Sequence, residues 1–252
     1  MSVEPFSASG DPLIWVLRDE RPGTGNQVLG VAEALGRPYV IKGLRYGPMA
    51  RLPNMLLGAS LRVLTADSRT DISPPWPDVV ISAGRRAASV ARYIKRVSGG
   101  HSFVCQLMYP GPRQLASLDL VAVPAHDKVT GPNVVAVTGA PHRVTETLLA
   151  DARATWRGPW KDIPRPLLGV LVGGAGRRMP FDAMDAERLA GQITDWQADA
   201  GGSVLMTTSR RSGTAAAVLL ERLRNSGSEP AVYHAWDSRD DNPYLGILSV
   251  AN

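Results

Sequence analysis

Two glycine-rich segments follow short apolar runs, and each has the composition of a phosphate-binding turn. The first apolar run, residues 13–17, leads into Gly-Thr-Gly-Asn-Gln at residues 23–27. The second, residues 167–172, leads into Gly-Gly-Ala-Gly at residues 173–176. A strand, a glycine turn and a helix in this order present backbone N–H groups to an anion. The pattern predicts two Rossmann-like halves that enclose a nucleotide-binding cleft.

A basic segment, Ser209-Arg210-Arg211-Ser212-Gly213, could supply further phosphate ligands. It follows a predicted strand over residues 203–208 and precedes a predicted helix. Guanidinium groups form forked, charge-assisted hydrogen bonds to phosphate oxygens. Anion binding is the favoured interpretation, and a solvated turn in which Ser212 caps the helix is the alternative.

Three side chains are candidates for a general base: Asp19 after the first strand, and the loop histidines His126 and His142. Histidine titrates near neutral pH, which suits proton transfer, although most loop histidines are structural. His234 falls within a predicted strand, where we expect it to be packed. The chain has neither H-E-x-x-H spacing nor a Gly-x-Ser-x-Gly elbow, so we predict no metal site and no α/β-hydrolase.

The first glycine segment departs from the dinucleotide-binding fingerprint. Gly23, Gly25 and Gly30 are too widely spaced, and no acidic residue clearly ends the second predicted strand. An NAD-dependent oxidoreductase is therefore disfavoured.

The bulk composition is that of a folded protein, because 44% of the 252 residues are hydrophobic and 20% are charged. The net charge of +5 fits an anionic ligand or an acidic membrane surface better than a nucleic-acid groove. The single cysteine, Cys105, excludes an internal disulfide and a cysteine-cluster metal site. We find no signal peptide and no apolar run of about 18 residues, so we expect a cytoplasmic protein.

Apolar periodicity places these residues on alternating strands and helices, which is typical of a doubly wound, mostly parallel α/β sheet. The pattern predicts a helix over residues 49–61 and another over residues 143–156. A proline-rich stretch follows the second helix. We therefore expect an N-terminal domain, a linker and a partial C-terminal domain, over residues 1–156, 157–166 and 167–252.

Several short motifs, taken in order along the chain, resemble those of one family. They are Asp19…Gly25-Asn26-Gln27, the run from Pro77 to Arg86, Val123-Pro124-Ala125-His126-Asp127, Asn133-Val134…Thr138-Gly139-Ala140-Pro141-His142-Arg143, Val172-Gly173-Gly174, Ser209-Arg210-Arg211 and Asn242-Pro243-Tyr244. This order resembles the mitochondrial-fission "elongated mitochondria" family, whose bacterial members are regarded as glycosyltransferases. The resemblance runs from about Trp15 to the last residue.

The resemblance implies a GT-B-like fold, in which two Rossmann-like domains enclose a nucleotide-sugar held mainly by the C-terminal domain. It implies transfer of a sugar, without a metal or other cofactor, to a lipid-linked or envelope-glycan acceptor. Helix N-termini and arginines would stabilise the leaving nucleoside diphosphate. The expected nucleotide-sugar-binding residues are Gly173, Gly174, Ser209, Arg210 and Arg211. The expected acceptor-side residues are Gly23, Thr24, Gly25 and Gln27.

The resemblance also implies a second class of function, because plant members act as adaptors that recruit a dynamin-like protein to mitochondria. The glycine loop resembles that of the murein N-acetylglucosaminyltransferase, but Gln27 stands where that enzyme has a histidine, and a glutamine cannot act as a base. Ala125 stands where a glutamate is common in the family. The sequence ends at Asn252, before the family's Asp-Ser-x-Ser-Met segment, so we expect a truncated enzyme or a non-catalytic scaffold.

A peripheral contact with the inner membrane face is a third alternative. Four basic residues flank the apolar residues 49–61, namely Lys42, Arg45, Arg51 and Arg62. Such a stretch could face a lipid acceptor. A buried core helix is the favoured interpretation of the same stretch.

Overall fold

The chain divides into two units, residues 1–143 and residues 144–252. The computed structural model describes residues 10–52, 57–173 and 181–251. Each unit contains its own parallel β-sheet with helices packed against it. The predicted α/β class with two parallel sheets is confirmed. Residues 144–156 lie in the second unit, and the domain and linker boundaries at 156 and 167 stay a prediction.

The first unit contains a six-stranded sheet. Its strands are β1 (Ile14–Asp19), β2 (Val40–Leu44), β3 (Val79–Ala83), β4 (Phe103–Leu107), β5 (Leu120–Pro124) and β6 (Val134–Val137). Its described helices are α1 (Pro22–Ala34), α2 (Ala66–Thr70), α3 (Gly84–Val97) and α4 (Pro112–Leu115), with 3-10 helices at Pro48–Arg51 and Ala125–Asp127. The strands are parallel and lie in the order β2-β1-β3-β4-β5-β6.

Helices cover both faces of this sheet. Successive residues of a strand point to opposite faces, so Trp15 and Leu17 of β1 join the core beneath α3, whereas Ile14 and Val16 join the core beneath α1. Burial on both faces explains why β1 is an almost continuous apolar run instead of an alternating one.

The order of the strands reverses at β1, because β2 pairs with one of its edges and β3 with the other. The helices that follow β1 and β3 therefore lie on opposite faces of the sheet, and a crevice opens between the carboxyl ends of these two strands. Open α/β sheets bind their ligands at such a switch point.

The prediction of one continuous helix over residues 49–61 is wrong, because the described residues on both sides of the gap at 53–56 include non-helical positions, although Leu57 itself is helical. Pro48–Arg51 is a short 3-10 helix, and Leu52 is extended at φ −62° and ψ 152°. The following residue, Pro53, disfavours the helical conformation at Leu52. Gly58 has φ +56°, which also breaks a helix. Residues 53–56 lie outside the described residues.

The second unit contains the strands β7 (Leu167–Val172), β8 (Ser203–Thr208) and β9 (Val232–His234), parallel and in the order β7-β8-β9. Its described helices are α5 (Glu146–Arg157), α6 (Ala183–Ala200), α7 (Gly213–Asn225) and α8 (Tyr244–Val250). Helices α6 and α7 cover one face, and Trp160 and Ile247 pack against the other. Within the described ranges, no helix has the length and apolar character needed to cross a membrane.

Candidate functional site

The glycine segment at residues 23–27 forms the first turns of α1. A Cβ on Gly25 would lie 3.0 Å from the carbonyl oxygen of Asp19, so this glycine lets the helix approach β1 closely. The space beside Gly23 is open. Because the first N–H groups of a helix lack partners within the helix and its dipole favours negative charge, this end of α1 suits an anion or a polar ligand.

The loops after β1 and β3 meet at the switch point. Gly84 has φ +75°, a conformation that favours glycine, and a Cβ there would lie 3.4 Å from Cγ2 of Thr24. The N-termini of α1 and α3 therefore lie beside one another, although the two helices occupy opposite faces of the sheet.

Asp19 bridges these two elements. It ends β1 and is only 6% exposed. Nη2 of Arg86, in the first turn of α3, donates to the two carboxylate oxygens at 3.0 and 2.8 Å. The backbone N–H of Arg21 donates to the same carboxylate at 3.0 Å. Asp19 thus fastens β1 to α3, and much of its capacity to accept hydrogen bonds is already used.

Arg86 also contacts an aromatic ring, because its guanidinium carbon lies 3.9 Å from the ring centroid of Tyr46. This distance is typical of a cation–π contact. The hydroxyl of Tyr46 is buried and has no hydrogen-bond partner within the described chain. Burial, reinforced by the negative charge of Asp19, raises the pKa of Tyr46. An unsatisfied buried hydroxyl is costly to the fold.

A cavity of about 370 Å³ opens beside Asp19 at the carboxyl ends of β1 and β2. Its lining combines cations, carboxylates and an amide, including Arg18, Arg45, Glu20, Asp71 and Asn26. Donors and acceptors of both charge signs suit a ligand with many hydroxyl groups better than a polyanion.

The three candidate bases do not form one cluster in the structure. His126 follows β5, with its side chain 79% exposed and Nε2 3.6 Å from Asp127. Three strand spacings of about 4.8 Å, or roughly 14 Å in all, separate the ends of β1 and β5. His142 is exposed, and its backbone lies against α1, where a Cβ on Gly30 would be 2.4 Å from the His142 carbonyl oxygen. The assignment of a base to Asp19, His126 or His142 stays a prediction.

In the second unit, the turn Ser209–Ser212 is fastened to the neighbouring strand. The buried hydroxyl of Ser212 donates to the carbonyl oxygen of Val172, at the end of β7, at 2.6 Å. The same hydroxyl accepts from the N–H of Ser209 at 2.8 Å. The Ser212 hydroxyl therefore joins the turn to β7 and does not cap α7. Gly173 directly follows Val172, which brings the turn close to the first residue of the second glycine segment.

Arg210 and Arg211 are the exposed residues of this turn. In the described part of the chain, neither guanidinium forms a hydrogen bond or an ion pair. No side chain of the described residues occupies the space beside Gly173. Gly174 lies outside the described residues. The turn thus presents two unneutralised positive charges at the carboxyl end of β8.

An aromatic side chain lies near the turn. The N–H of Trp236 donates to Oγ1 of Thr208, the last residue of β8, at 3.0 Å, and the Trp236 side chain is 51% exposed. His234, at the end of β9, is 6% exposed, and its Nε2 lies 3.3 Å from the carbonyl oxygen of Asp240. The prediction that His234 is packed within a strand is confirmed.

The sequence model of one family, described as Mitochondrial fission ELM1, matches residues 22–252. This match covers both units. The chain belongs to the mitochondrial fission ELM1 family. The resemblance found in the sequence motifs is thereby confirmed.

Two curated relatives agree with this family. Mitochondrial fission protein ELM1 from Arabidopsis thaliana is 27% identical over an alignment of 217 positions, gaps included, and this alignment covers 77% of this chain and 50% of that protein. Uncharacterized protein RP120 from Rickettsia prowazekii is 24% identical over an alignment of 275 positions, gaps included, which covers 94% of this chain and 75% of the relative. The chain of this ELM1-family member thus spans half the length of the Arabidopsis protein.

Solved structures provide a more distant likeness. An alpha,alpha-trehalose-phosphate synthase (UDP-forming) from Burkholderia vietnamiensis matches 94% of this chain and 76% of its own, with 11% identity and a TM-score of 0.48. MurG from Acinetobacter baumannii matches 95% of this chain and 70% of its own, with 14% identity and a TM-score of 0.44. UDP-N-acetylglucosamine 2-epimerase from Rickettsia bellii matches 88% of this chain and 68% of its own, with 10% identity and a TM-score of 0.49.

Three residues of these sites were missed by sequence reasoning. Arg86 could have been found from the sequence. It follows a strand and a glycine, in the first turn of the next helix, and such a position lies at the carboxyl edge of the sheet. Tyr46 and Trp236 could not have been found in this way, because the contacts of Tyr46 with Arg86 and of Trp236 with Thr208 join segments that are distant in sequence.

Proposed function

We propose that this ELM1-family chain is a glycosyltransferase-type protein whose second unit binds the diphosphate of a nucleotide-sugar. The observation that carries the proposal is the position of two exposed arginines on a turn that Ser212 fastens to β7. The turn leads directly into α7, so the guanidinium groups and the helix N-terminus act on the same space.

The chemistry of a sugar donor matches this arrangement. A nucleoside diphosphate gains negative charge as it leaves the sugar, and prearranged positive groups stabilise that charge in the transition state. Arg210 and Arg211 can each give a forked hydrogen bond to phosphate oxygens. No described side chain fills the space beside Gly173, which suits the approach of a phosphate to the backbone there.

Trp236 supports a nucleotide as the carrier of the diphosphate. Its half-exposed ring belongs to the segment that is tied to the end of β8, directly before the turn that carries Arg210. Aromatic rings stack on the π-faces of bases with little dependence on base identity. We assign Trp236 to the base and the two arginines to the diphosphate.

The first unit is proposed to hold the acceptor. The cavity beside Asp19 has a lining of mixed charge that matches sugar hydroxyls, and the open end of α1 at Gly23, Thr24 and Gln27 lies at the same edge of the sheet. Of the three candidate bases, Asp19 lines this cavity. An envelope-glycan or lipid-linked acceptor and contact with a membrane remain predictions.

A non-catalytic adaptor is the second candidate function. The specific observation in its favour is that Asp19 already accepts hydrogen bonds from Arg86 and from the backbone N–H of Arg21. These bonds give Asp19 a structural role. Gln27, which cannot act as a base, agrees with this candidate. The name of the Arabidopsis relative refers to mitochondrial fission and not to an enzymatic activity.

The test is calorimetric titration of the chain with uridine, guanosine and adenosine diphosphates and the corresponding nucleotide-sugars. We expect one nucleotide to bind, and the variant Arg210→Gln/Arg211→Gln to weaken that binding by about tenfold or more, since charge-assisted hydrogen bonds are lost. Arg188→Gln/Arg224→Gln, which removes two exposed charges of the same unit, is the matched control.

Two results would count against the donor site. If a folded sample binds none of the nucleotides, the adaptor becomes the better explanation. If the Arg210/Arg211 variant and the control bind equally well, the site lies elsewhere.

A further inference from the structure

A second concentration of positive charge lies at the opposite end of the second unit. Arg153, Arg157, Lys161 and Arg165 line a cavity of about 640 Å³ together with residues 249–251. Arg165 lies just before β7, at the amino edge of the parallel sheet, whereas Arg210 follows β8 at its carboxyl edge. Strands of six residues are about 20 Å long, so the two groups of cations are separate.

The helix α5 places two of these cations on one side. Arg153 and Arg157 are four residues apart, which puts them on the same face of the helix, and Lys161 lies in the turn that follows it. Trp156 and Trp160 stack at 4.7 Å and hold the end of α5 in place. α8 packs directly on this end, because a Cβ on Gly246 would lie 2.4 Å from Cδ1 of Trp156.

Two of the four cations also have a structural role. Nε of Arg153 donates to the carbonyl oxygen of Ser249 at 2.8 Å, and Nη1 of Arg165 donates to that of Val250 at 3.5 Å. Cations commonly stabilise the last carbonyl groups of a helix in this way. The terminal nitrogens of Arg153 form no hydrogen bond within the described residues, and they remain able to donate to a ligand.

The other two cations have no comparable role. The guanidinium of Arg157 forms neither an ion pair nor a hydrogen bond within the described ranges. Nζ of Lys161 lies 4.0 Å from Asp162, whose side chain is 89% exposed, and a pair of this kind contributes little. Cations that share a cavity repel one another, and an anion bound between them relieves this repulsion.

We propose that this cavity binds phosphate groups, carried either by an anionic lipid headgroup or by a soluble phosphorylated compound. The terminal nitrogens of Arg153, the guanidinium of Arg157 and the ammonium of Lys161 match the several oxygens and the negative charge of a phosphate monoester or a diphosphate. The cavity lies on the second unit alone, and it does not depend on the nucleotide-sugar site proposed above.

The experiment separates the two sites by using a chain that carries Arg210→Gln/Arg211→Gln throughout. Inorganic pyrophosphate is titrated calorimetrically, and flotation with phosphatidylglycerol vesicles is compared with flotation with phosphatidylcholine vesicles. Arg157→Gln/Lys161→Gln is then added and should weaken binding of the responsive probe by about tenfold. Adding Arg188→Gln/Arg224→Gln removes the same charge elsewhere in the unit and should leave binding within about twofold.

Each outcome has a definite meaning. Cavity-dependent binding of pyrophosphate alone identifies a soluble phosphorylated ligand, and binding of phosphatidylglycerol vesicles alone identifies a lipid headgroup; both support the proposal. The proposal is overturned if neither probe binds, or if the cavity variant and the charge-matched control weaken binding equally. The variant Arg157→Lys/Lys161→Arg keeps the charge and should keep most of the binding, which excludes loss of folding as the cause.

Discussion

The buried ion pair at the switch point offers a direct test of how the first unit is held together. Replacing Arg86 by Met keeps much of the apolar stem and removes the charged group. Among the donors that the structure describes, the Asp19 carboxylate, 6% exposed, would then retain only the N–H of Arg21. Tyr46 would lose the cation over its ring.

The size of the effect follows from the burial of both partners. Removing one member of a buried pair costs about 3–5 kcal/mol, because the other charge is left without compensation. The Arg86 side chain is 17% exposed, which admits some water and favours the lower end of this range. We expect Arg86→Met to lower the free energy of unfolding of the first unit by about 3 kcal/mol, a factor of roughly 150 in the equilibrium constant.

Hydrogen exchange measured by mass spectrometry suits this prediction, because it reports peptides from β1 and β3 separately from those of the second unit. The matched control is Arg37→Met, which removes an exposed Arg–Asp pair of the same unit, with an Nη1–Oδ1 distance of 2.6 Å and side-chain exposures of 60% and 39%. Exposed pairs contribute up to about 1 kcal/mol. The double variant Asp19→Asn/Arg86→Met should be more stable than the sum of its single variants predicts, by about 2 kcal/mol.

Equal protection in Arg86→Met and Arg37→Met would refute the reasoning. It would mean that water or a rearranged loop compensates the Asp19 carboxylate. Additive effects of the two single variants would refute it as well, since they would show that the two side chains do not act as a pair.

Three further predictions concern packing, the basic turn and pH. Gly30→Ala should lower the free energy of unfolding of the first unit, measured in urea, by about 1–3 kcal/mol, because the new Cβ would meet a backbone carbonyl oxygen at 2.4 Å. Gly191→Ala should instead raise the free energy of unfolding, since the space there is open and alanine favours the helix by about 1 kcal/mol. Ser212→Ala removes three hydrogen bonds of a buried hydroxyl, so thermal unfolding should show a loss of about 1–3 kcal/mol. Ser209→Ala, which leaves the bond to β7 intact, should cost less. Burial raises the pKa of the Cys105 thiol to about 11, compared with about 8.5 in the unfolded chain. The stability that the protonated thiol contributes is therefore fully present below about pH 8.5, and it is lost as the pH rises toward 11. Cys105→Ala should therefore lose less stability than the parent chain between these values, and equal slopes would contradict the assignment.

Much of the local structure could be predicted from the sequence. The strand expected over residues 203–208 is β8 itself, and the apolar run that precedes the first glycine segment is β1. These predictions succeeded because the period of apolar residues and the positions of glycine are properties of neighbouring residues. The helix over residues 49–61 failed for a local reason too, since the conformational effect of Pro53 extends to the residue before it.

The candidate sites were only partly predictable. The sequence alone located the basic turn, because Arg210 and Arg211 are adjacent and follow a strand. It did not reveal that the Ser212 hydroxyl bonds to Val172 in place of capping its helix, because that carbonyl becomes a neighbour only when β7 and β8 pair. Similarly, the spacing of Arg153 and Arg157 is visible in the sequence, whereas the helix end beside them is not.

The sequence by itself determined the class of the fold, the family and the positions of the two glycine segments. Only the tertiary structure decided that Asp19 is bound by Arg86 and lies beside Tyr46. The physical reason lies in the order of the strands, because β1 pairs with β2 on one edge and with β3 on the other. That order depends on which faces of the whole sheet can be buried at once, and no short segment contains this information.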